Sequence, residues 1–401
     1  NRWDGDATTE IKRRYSELAD IRQLLVLQYP MLIIPPLPPK SANDNFNTYL
    51  QSQAQLQQQT RNINRFLREL AKIPEVMLFH ELVPNLFQYP REKLSDLMSR
   101  VREMISTLRH GNASLEEHRE YRSAVNSGSS ENGGGGATAV AVETVTHLAV
   151  EGQKMMRGFV GALSSWMATP ATGSAAQAAK DRESISQKVS ATYQDDPDVK
   201  YWNAILDRTE HERVVLSQVA EALLKLIVAD DEMYATLEDV SKALSEYSDI
   251  LSGAEPFSDI SEASRRCATL VFDVSDLHKT VGDRRYITQY EVLLFEVSYL
   301  EAVEDTISFH KCLIRRKLET DLDPFIKPQE KGQLRQYVAF VDERLRVEYS
   351  HFTANHKRRM KSVAKHMCEL PLSVFSDELR RSSVHPFVAL MNTESYSRFQ
   401  Q

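Results

Sequence analysis

The chain has 401 residues, 42% of them apolar and 26% charged, with a formal net charge of −7. This is an ordinary soluble balance, long enough for two or three domains, and its negative sign argues against a dedicated nucleic-acid binder. No run approaches the ~18 apolar residues of a membrane span, and no charged-then-apolar leader opens the sequence. The three cysteines, Cys267, Cys312 and Cys368, are far apart and odd in number. They fit a reducing compartment and free buried thiols better than a disulfide framework or a zinc site.

In chain order, Trp3 and the turn signal Asp4-Gly5-Asp6 precede Glu10-Ile11-Lys12-Arg13-Arg14-Tyr15-Ser16. A turn before an alternating segment predicts the second arm of a β-hairpin. Residue 1 is Asn and the strand pattern starts almost at once, so some N-terminal structure is expected to precede the numbering. A helix is predicted next, with Leu18, Ile21, Leu24 and Leu25 on one face. Leu32-Ile33-Ile34-Pro35-Pro36-Leu37-Pro38-Pro39-Lys40 follows. Its prolines forbid helix and sheet interior and favour a polyproline II loop. Residues 45–73 read as helix, with Leu56, Ile63, Phe66, Leu67 and Leu70 buried, and a further short helix covers about 76–87.

The order Arg-Arg-Tyr-Ser-Glu-Leu, apolar helix, Ile-Pro-Pro-Leu-Pro-Pro-Lys, then a helix carrying Arg65-Phe66-Leu67 and ending near Pro74, resembles a PX (phox-homology) domain over residues 1–90. The resemblance implies an α+β fold: a small antiparallel sheet, helices and a proline-rich loop. In that family the strand arginine grips the 3-phosphate of phosphatidylinositol 3-phosphate, and the next tyrosine stacks on the inositol ring. A lysine after the proline loop meets the 1-phosphate, and a helix arginine holds the ring hydroxyls. By matching position the first three are Arg14, Tyr15 and Lys40. The fourth departs, because Gln59 stands seven residues before Phe66 where the family has arginine. A guanidinium lost from a charged partner costs about 1.5–3 kcal/mol. Arg61 would point about 200° around the helix and is a poor substitute. Leu18 also replaces the family's usual phenylalanine. A PX fold that has lost tight lipid binding is therefore the competing expectation.

Residues 91–144 read as a linker, with a short helix over about 92–109 carrying Leu94, Leu97, Val101, Ile105 and Leu108. Ser127-Gly128-Ser129-Ser130 leads into Gly133 to Gly136, a flexible-linker composition. No strand pattern precedes these glycines and no Gly-Lys-Ser/Thr follows, so they are not a nucleotide loop. Over 145–170 an amphipathic helix is expected. Its bulky face holds Met155, Met156, Phe159, Val160, Leu163, Trp166 and Met167, opposite small and polar residues. That pattern suits insertion at a bilayer surface or packing on a neighbouring domain. PX proteins with long C-terminal helices often carry such a helix here, which favours the bilayer.

From about 180 to 395 the pattern is one of long helices. The first is predicted over 197–250, with Trp202, Leu206, Leu216, Val219, Leu223 and Leu226 on one stripe, then Met233, Leu237, Val240, Leu244 and Tyr247 as a heptad seam. Gly253 and Pro256 end it. The second runs from Ile260 to Leu322 with the single glycine Gly282 and no proline. It repeats Ile287, Tyr290, Leu294 and Val297, and also Leu293, Val297 and Leu300. Such a helix would reach roughly 90 Å, too long to bury its stripe without equally long partners. The third starts after Gly332, uses Leu334, Tyr337, Val341, Leu345, Tyr349, Phe352, Met360, Val363 and Met367, and ends at Pro371, with a weaker helical tail to about Leu390.

Three long antiparallel helices after a PX domain and an amphipathic linker resemble a BAR domain, and the whole chain resembles a sorting nexin of the PX–BAR class. The resemblance implies an all-α, three-long-helix coiled-coil bundle that pairs as a homodimer or a heterodimer with another PX–BAR protein. It also implies that the concave side and the turn between helices two and three meet lipid headgroups. Basic residues agree: Lys311, Arg315, Arg316 and Lys317 end the second helix, and Lys327, Lys331 and Arg335 flank the turn. Glu319, Asp321, Asp323 and Glu330 oppose them. Lys357, Arg358, Arg359, Lys361 and Lys365 form a second cluster, for which a solvated face is the stronger expectation.

No nucleophile–base–orienter set, phosphate loop, dinucleotide fingerprint or carboxylate pair is legible, so no enzyme activity, cofactor or metal is expected. His351 and His356 are five apart and His310 and Cys312 two apart, neither of which puts two ligands on one helix face. The resemblance implies a peripheral membrane adaptor on endosomes, expected to bind phosphatidylinositol 3-phosphate and anionic membrane and to sense or impose curvature as a dimer in sorting and tubulation, alongside retromer-type or cargo-sorting proteins. The alternative is a lipid-weak scaffold whose helices heterodimerise with a lipid-competent nexin.

Overall fold

The computed structural model describes residues 13–37, 53–79, 82–120, 188–252, 258–324 and 326–384. The chain divides into two compact units. The first comprises Asn1–His211 with Ser298–Phe352, and the second Glu212–Val297 with Thr353–Gln401. All regular structure among the described residues is helical. Of the segment Glu10–Ser16 that reads as a hairpin arm, the part up to residue 12 lies outside the described residues, and Tyr15 and Ser16 belong to a helix instead of a strand.

In the first unit, α1 (Tyr15–Gln28) starts where Arg14 is still extended and the Glu17 carboxylate accepts the Arg14 backbone N–H at 2.7 Å. That reciprocal contact satisfies one of the orphan groups at the start of the helix. Leu18, Ile21, Leu24 and Leu25 are buried, the face the periodicity predicts. They pack on α5 (Arg91–Glu120), whose Leu94, Leu97, Met98, Val101 and Ile105 are buried in turn. The helix expected over 92–109 thus extends to residue 120 and belongs to the packing around α1. Leu32, Ile33 and Ile34 are buried in the loop that follows α1.

Next come α2 (Gln53–Leu70), with Phe66 and Leu70 buried, α3 (Pro74–Phe79) and α4 (Leu82–Gln88). The last two cover the stretch expected as one helix over 76–87, and residues 80 and 81 between them lie outside the described residues. Residues 188–195 form α6, and α7 (Pro197–Ser252) begins at a proline in its first position. Asp196 caps α7: its Oδ1 accepts from the backbone N–H of Asp198 at 2.9 Å and of Val199 at 3.3 Å.

The start of α7 packs with α9 (Glu291–Leu322) and α10 (Pro328–Val384) around fully buried Trp202. The indole Nε1 donates to Asp342 Oδ1 at 2.7 Å, and His310 Nε2 meets the same oxygen at 2.9 Å. Arg346 donates from Nε to Asp342 Oδ2 at 2.7 Å and from Nη2 to Asp198 Oδ1 at 2.8 Å. It also lies 4.0 Å above the Tyr201 ring, where a cation is attracted by the ring face. Burial alone would raise the Asp342 carboxyl; the bonds from His310, Arg346 and Trp202 outweigh it and hold Asp342 well below the usual carboxylate range.

In the second unit, the later part of α7 packs on α8 (Ser258–Arg285) through small residues. Ser261, Ala268, Ser275 and Gly282 recur every seven residues and are all buried, facing Ser241 and Ser248. Ser241 Oγ donates to the Ala268 carbonyl and Ser275 Oγ to the Tyr234 carbonyl, at 2.8 and 2.9 Å. Ser248 and Ser261 each donate to the other's carbonyl at 2.8 Å. A Cβ on Gly282 would stand 3.4 Å from Asp230 Cβ, an ordinary van der Waals contact.

This seam corrects the expected one. Leu226, Met233, Val240 and Tyr247 are 51, 46, 44 and 49% exposed, and Ile227 rather than Leu226 is buried. Tyr286–Tyr290 is a π turn, closed by the bond from Glu291 N–H to the Tyr286 carbonyl. Its wider turn breaks the uniform 3.6-residue period. Ile287 and Leu294 stay on the surface, while Leu293, Leu300, Ile307 and Ile314 are buried along α9. Helix α10 also departs from expectation, starting at Pro328 and continuing through both Gly332 and Pro371 to Val384. A proline removes one ladder bond, and so long a helix retains many others.

Candidate lipid-binding interface

The paired arginines before α1 have different tasks. Arg13 turns inward: its Nε donates to the Leu86 carbonyl and its Nη2 to the Tyr89 carbonyl at 2.6 Å. It thereby satisfies carbonyls at the end of α4 that the helix leaves open, where a cation is also favoured. Arg14, the position predicted to meet the 3-phosphate, is exposed, and Tyr15 beside it is half-buried. Replacing Arg13 by Ala is expected to cost about 1.5–3 kcal/mol, as for hydrogen bonds to a charged group. Arg14→Ala is expected to stay within about 0.5 kcal/mol of wild type in the same urea titration.

Arg22, which sequence reasoning missed, holds the loop after α1. Its Nε donates to the Pro35 carbonyl at 2.8 Å. Burial lowers its basicity, opposed by the charges of Asp305 and Tyr15. A half-buried arginine on a helix with no sequence-local partner gives little signal, because the loop carbonyl it meets is thirteen residues away. Lys40 lies outside the described residues. So do Met155, Met156, Phe159, Val160, Leu163 and Trp166 of the expected insertion helix. Gln59, at the position that departs from the resemblance, is half-buried on α2, and Arg65 donates to Asn62 Oδ1 at 3.0 Å.

Around the turn between α9 and α10, acidic residues take up much of the basic cluster. Arg315 and Arg316 meet Glu319 at 3.3 and 3.4 Å. Arg335 meets Asp321 Oδ1 at 2.8 Å, and Lys331 donates to the Asp321 carbonyl at 2.9 Å. Lys311 and Lys317 are half-buried and Lys327 is exposed. The pairs are largely solvent-facing, so each is worth little and an anionic surface competes with them readily. In the second cluster Lys357, Arg358, Lys361 and Lys365 are exposed, but Arg359 is not one of these surface cations. It forks onto buried Glu296, its Nη2 reaching Oε2 at 3.1 Å.

No group of three or more His, Cys, Asp or Glu among the described residues is arranged to hold a metal ion. His310 and His356 are packed in the interior instead. No helix among the described residues is long and apolar enough to cross a membrane.

Residues 1–90 match the PX domain family. The chain carries a PX domain. No curated protein matches the chain. PX domains bind phosphoinositides and act in membrane trafficking, and a predominantly helical region follows this one. Arg14 and Tyr15, two of the positions expected to meet a headgroup, fall at the α1 entry, where Arg13 is spent on the fold and Arg14 is left at the surface. This supports peripheral association with a phosphoinositide-bearing membrane.

Proposed function

We propose that the protein is a peripheral adaptor of endosomal membranes. Its PX domain binds phosphatidylinositol 3-phosphate through Arg14, Tyr15 and Lys40, and its long helices pair with a second PX–BAR chain to sense or impose curvature. The observation that carries the reading is the PX match combined with an exposed Arg14 beside an Arg13 committed to α4 carbonyls. An exposed guanidinium at that position suits bidentate capture of a phosphate.

The pairing half of the reading is supported by the second unit. Leu226, Met233, Val240 and Tyr247 are exposed at seven-residue intervals on α7, with Leu237 and Leu244 half-buried between them. A heptad line of bulky residues left exposed among the described residues suits a second helix. Val240→Asp is expected to shift the chain to a monomer in multi-angle light scattering, with its circular dichroism kept.

Titration of a soluble phosphatidylinositol 3-phosphate analogue into the chain tests the lipid half. Binding that falls at least tenfold in Arg14→Ala is the expected result, since a charged hydrogen bond is worth about 1.5–3 kcal/mol. Undetectable binding by the wild type would favour the scaffold reading, for which Gln59 is the supporting residue.

A further inference from the structure

Three charged side chains are brought together, largely out of solvent, where α3 meets α10 in the first unit. Arg344 donates through Nη2 to Glu75 Oε1 and, at 3.0 Å, to Glu348 Oε1. Each of the three side chains is no more than 16% exposed. Glu75 Oε2 is buried and has no hydrogen-bond partner among the described residues. Two carboxylates thus compete for one guanidinium in a site where unpaired charge is costly. The groups facing Glu348 are Arg344 and, at 4.0 Å, the exposed His351, both on α10, with Glu75 from α3.

Glu75 lies within residues 1–90, the PX domain, and Arg344 and Glu348 lie on the last long helix. The two are joined in sequence only through a long intervening segment, so contacts of this kind decide whether they move together. We propose that the Glu75–Arg344–Glu348 triad is a proton-sensitive clasp that holds the PX domain on the last long helix, so that both engage one bilayer as a single body. The membrane part of this inference rests on the proposed lipid reading.

The clasp has a direction. Burial pushes the Glu348 carboxyl up to about 7, Arg344 opposing and Glu75 adding to the rise. A carboxyl whose folded value lies above its unfolded one binds its proton preferentially in the folded, docked state. Its contribution is therefore greatest at low pH and is lost as pH rises through about 7. Protonated Glu348 leaves Arg344 wholly to Glu75, and ionised Glu348 draws it away.

The test uses the full chain with two probes. One is a short-chain, water-soluble phosphatidylinositol 3-phosphate. The other is vesicles of phosphatidylcholine and phosphatidylserine carrying the same headgroup. Arg344→Met is expected to bind the soluble lipid within about twofold of wild type and the vesicles about tenfold more weakly, because linked contacts multiply. Hydrogen exchange in α3 is expected to accelerate about tenfold in the same variant. Wild-type vesicle binding is expected to weaken from about pH 6 to about pH 8 more than that of Glu348→Gln, which mimics the protonated form.

Vesicle binding and α3 exchange equal to wild type in Arg344→Met would overturn the clasp. Parallel loss of soluble-lipid and vesicle binding would overturn it too, by showing that Arg344 supports the PX fold itself. Arg14→Ala separates the two readings. If that variant binds soluble lipid as wild type does, the lipid assignment fails, while α3 exchange in Arg344→Met still decides the clasp.

Discussion

Glu296→Ala is expected to destabilise the protein by about 3–5 kcal/mol, the cost of leaving buried charge without its partner. Glu296 is fully buried in the second unit, where it accepts from His356 Nδ1 and from the Arg359 fork. His356 Nε2 meets Glu212 at 3.0 Å on its other side. Removing the carboxylate takes one acceptor from the His356 imidazolium, which keeps Glu212, and the acceptor of the Arg359 fork, among packed helices. Replacing Glu296 and Arg359 together by Met removes both charges and is expected to cost much less than the single change. Urea unfolding of the three proteins measures the difference. A loss below about 1 kcal/mol for Glu296→Ala would mean that water reaches the site.

The same network sets a pH dependence. Burial alone would lower the His356 imidazole, and hydrogen bonds to Glu212 and Glu296 outweigh it, holding the group up at about 9. Since the folded value exceeds the unfolded value of about 6.5, its contribution is complete below about 6.5 and is lost as pH rises through about 9. His356→Gln is expected to flatten the stability profile over that window.

Trp202→Ala is expected to cost about 3–5 kcal/mol in the first unit, the range for deleting a large buried aromatic. The indole is fully buried, donates to Asp342 and meets the His310 ring edge-on at 5.6 Å. Its loss opens a cavity at the start of α7 and takes one of the donors that keep Asp342 ionised. Trp202→Phe retains the ring surface and removes the N–H. It should lose about 1.5–3 kcal/mol, because the lost bond is to a charged group. Equal losses for the two variants would show that the hydrogen bond, not the packing, dominates.

Much of the fold is legible from periodicity and punctuation. The α1 face through Leu18, Ile21, Leu24 and Leu25 and the buried Phe66 and Leu70 follow from the spacing of apolar residues. What spacing hides is the partner. The bulky heptad on α7 reads as the buried seam, yet the close contact with α8 goes to Ser241 and Ser248, because small residues let helix backbones approach and pair hydroxyls with carbonyls. The π turn leaves no composition signal, and just after it Leu293 is buried while Leu294 is exposed.

The site is legible in the same uneven way. Arg13 and Arg14 are identical in type and adjacent. Only the fold shows that one is spent on the Leu86 and Tyr89 carbonyls, more than seventy residues on. Arg359 reads as one of five surface cations, and its buried partner Glu296 is sixty-three residues away. Arg344 and Glu75 are separated by 269 residues, so no local pattern links them.

The most direct test of the account is co-sedimentation of the full chain with vesicles, with and without phosphatidylinositol 3-phosphate, for wild type and Arg14→Ala side by side. The account predicts that the headgroup increases wild-type binding and that Arg14→Ala removes this increase while unfolding like wild type. Binding that ignores the headgroup, or survives Arg14→Ala unchanged, would contradict it and place the membrane attachment of this chain in its partner.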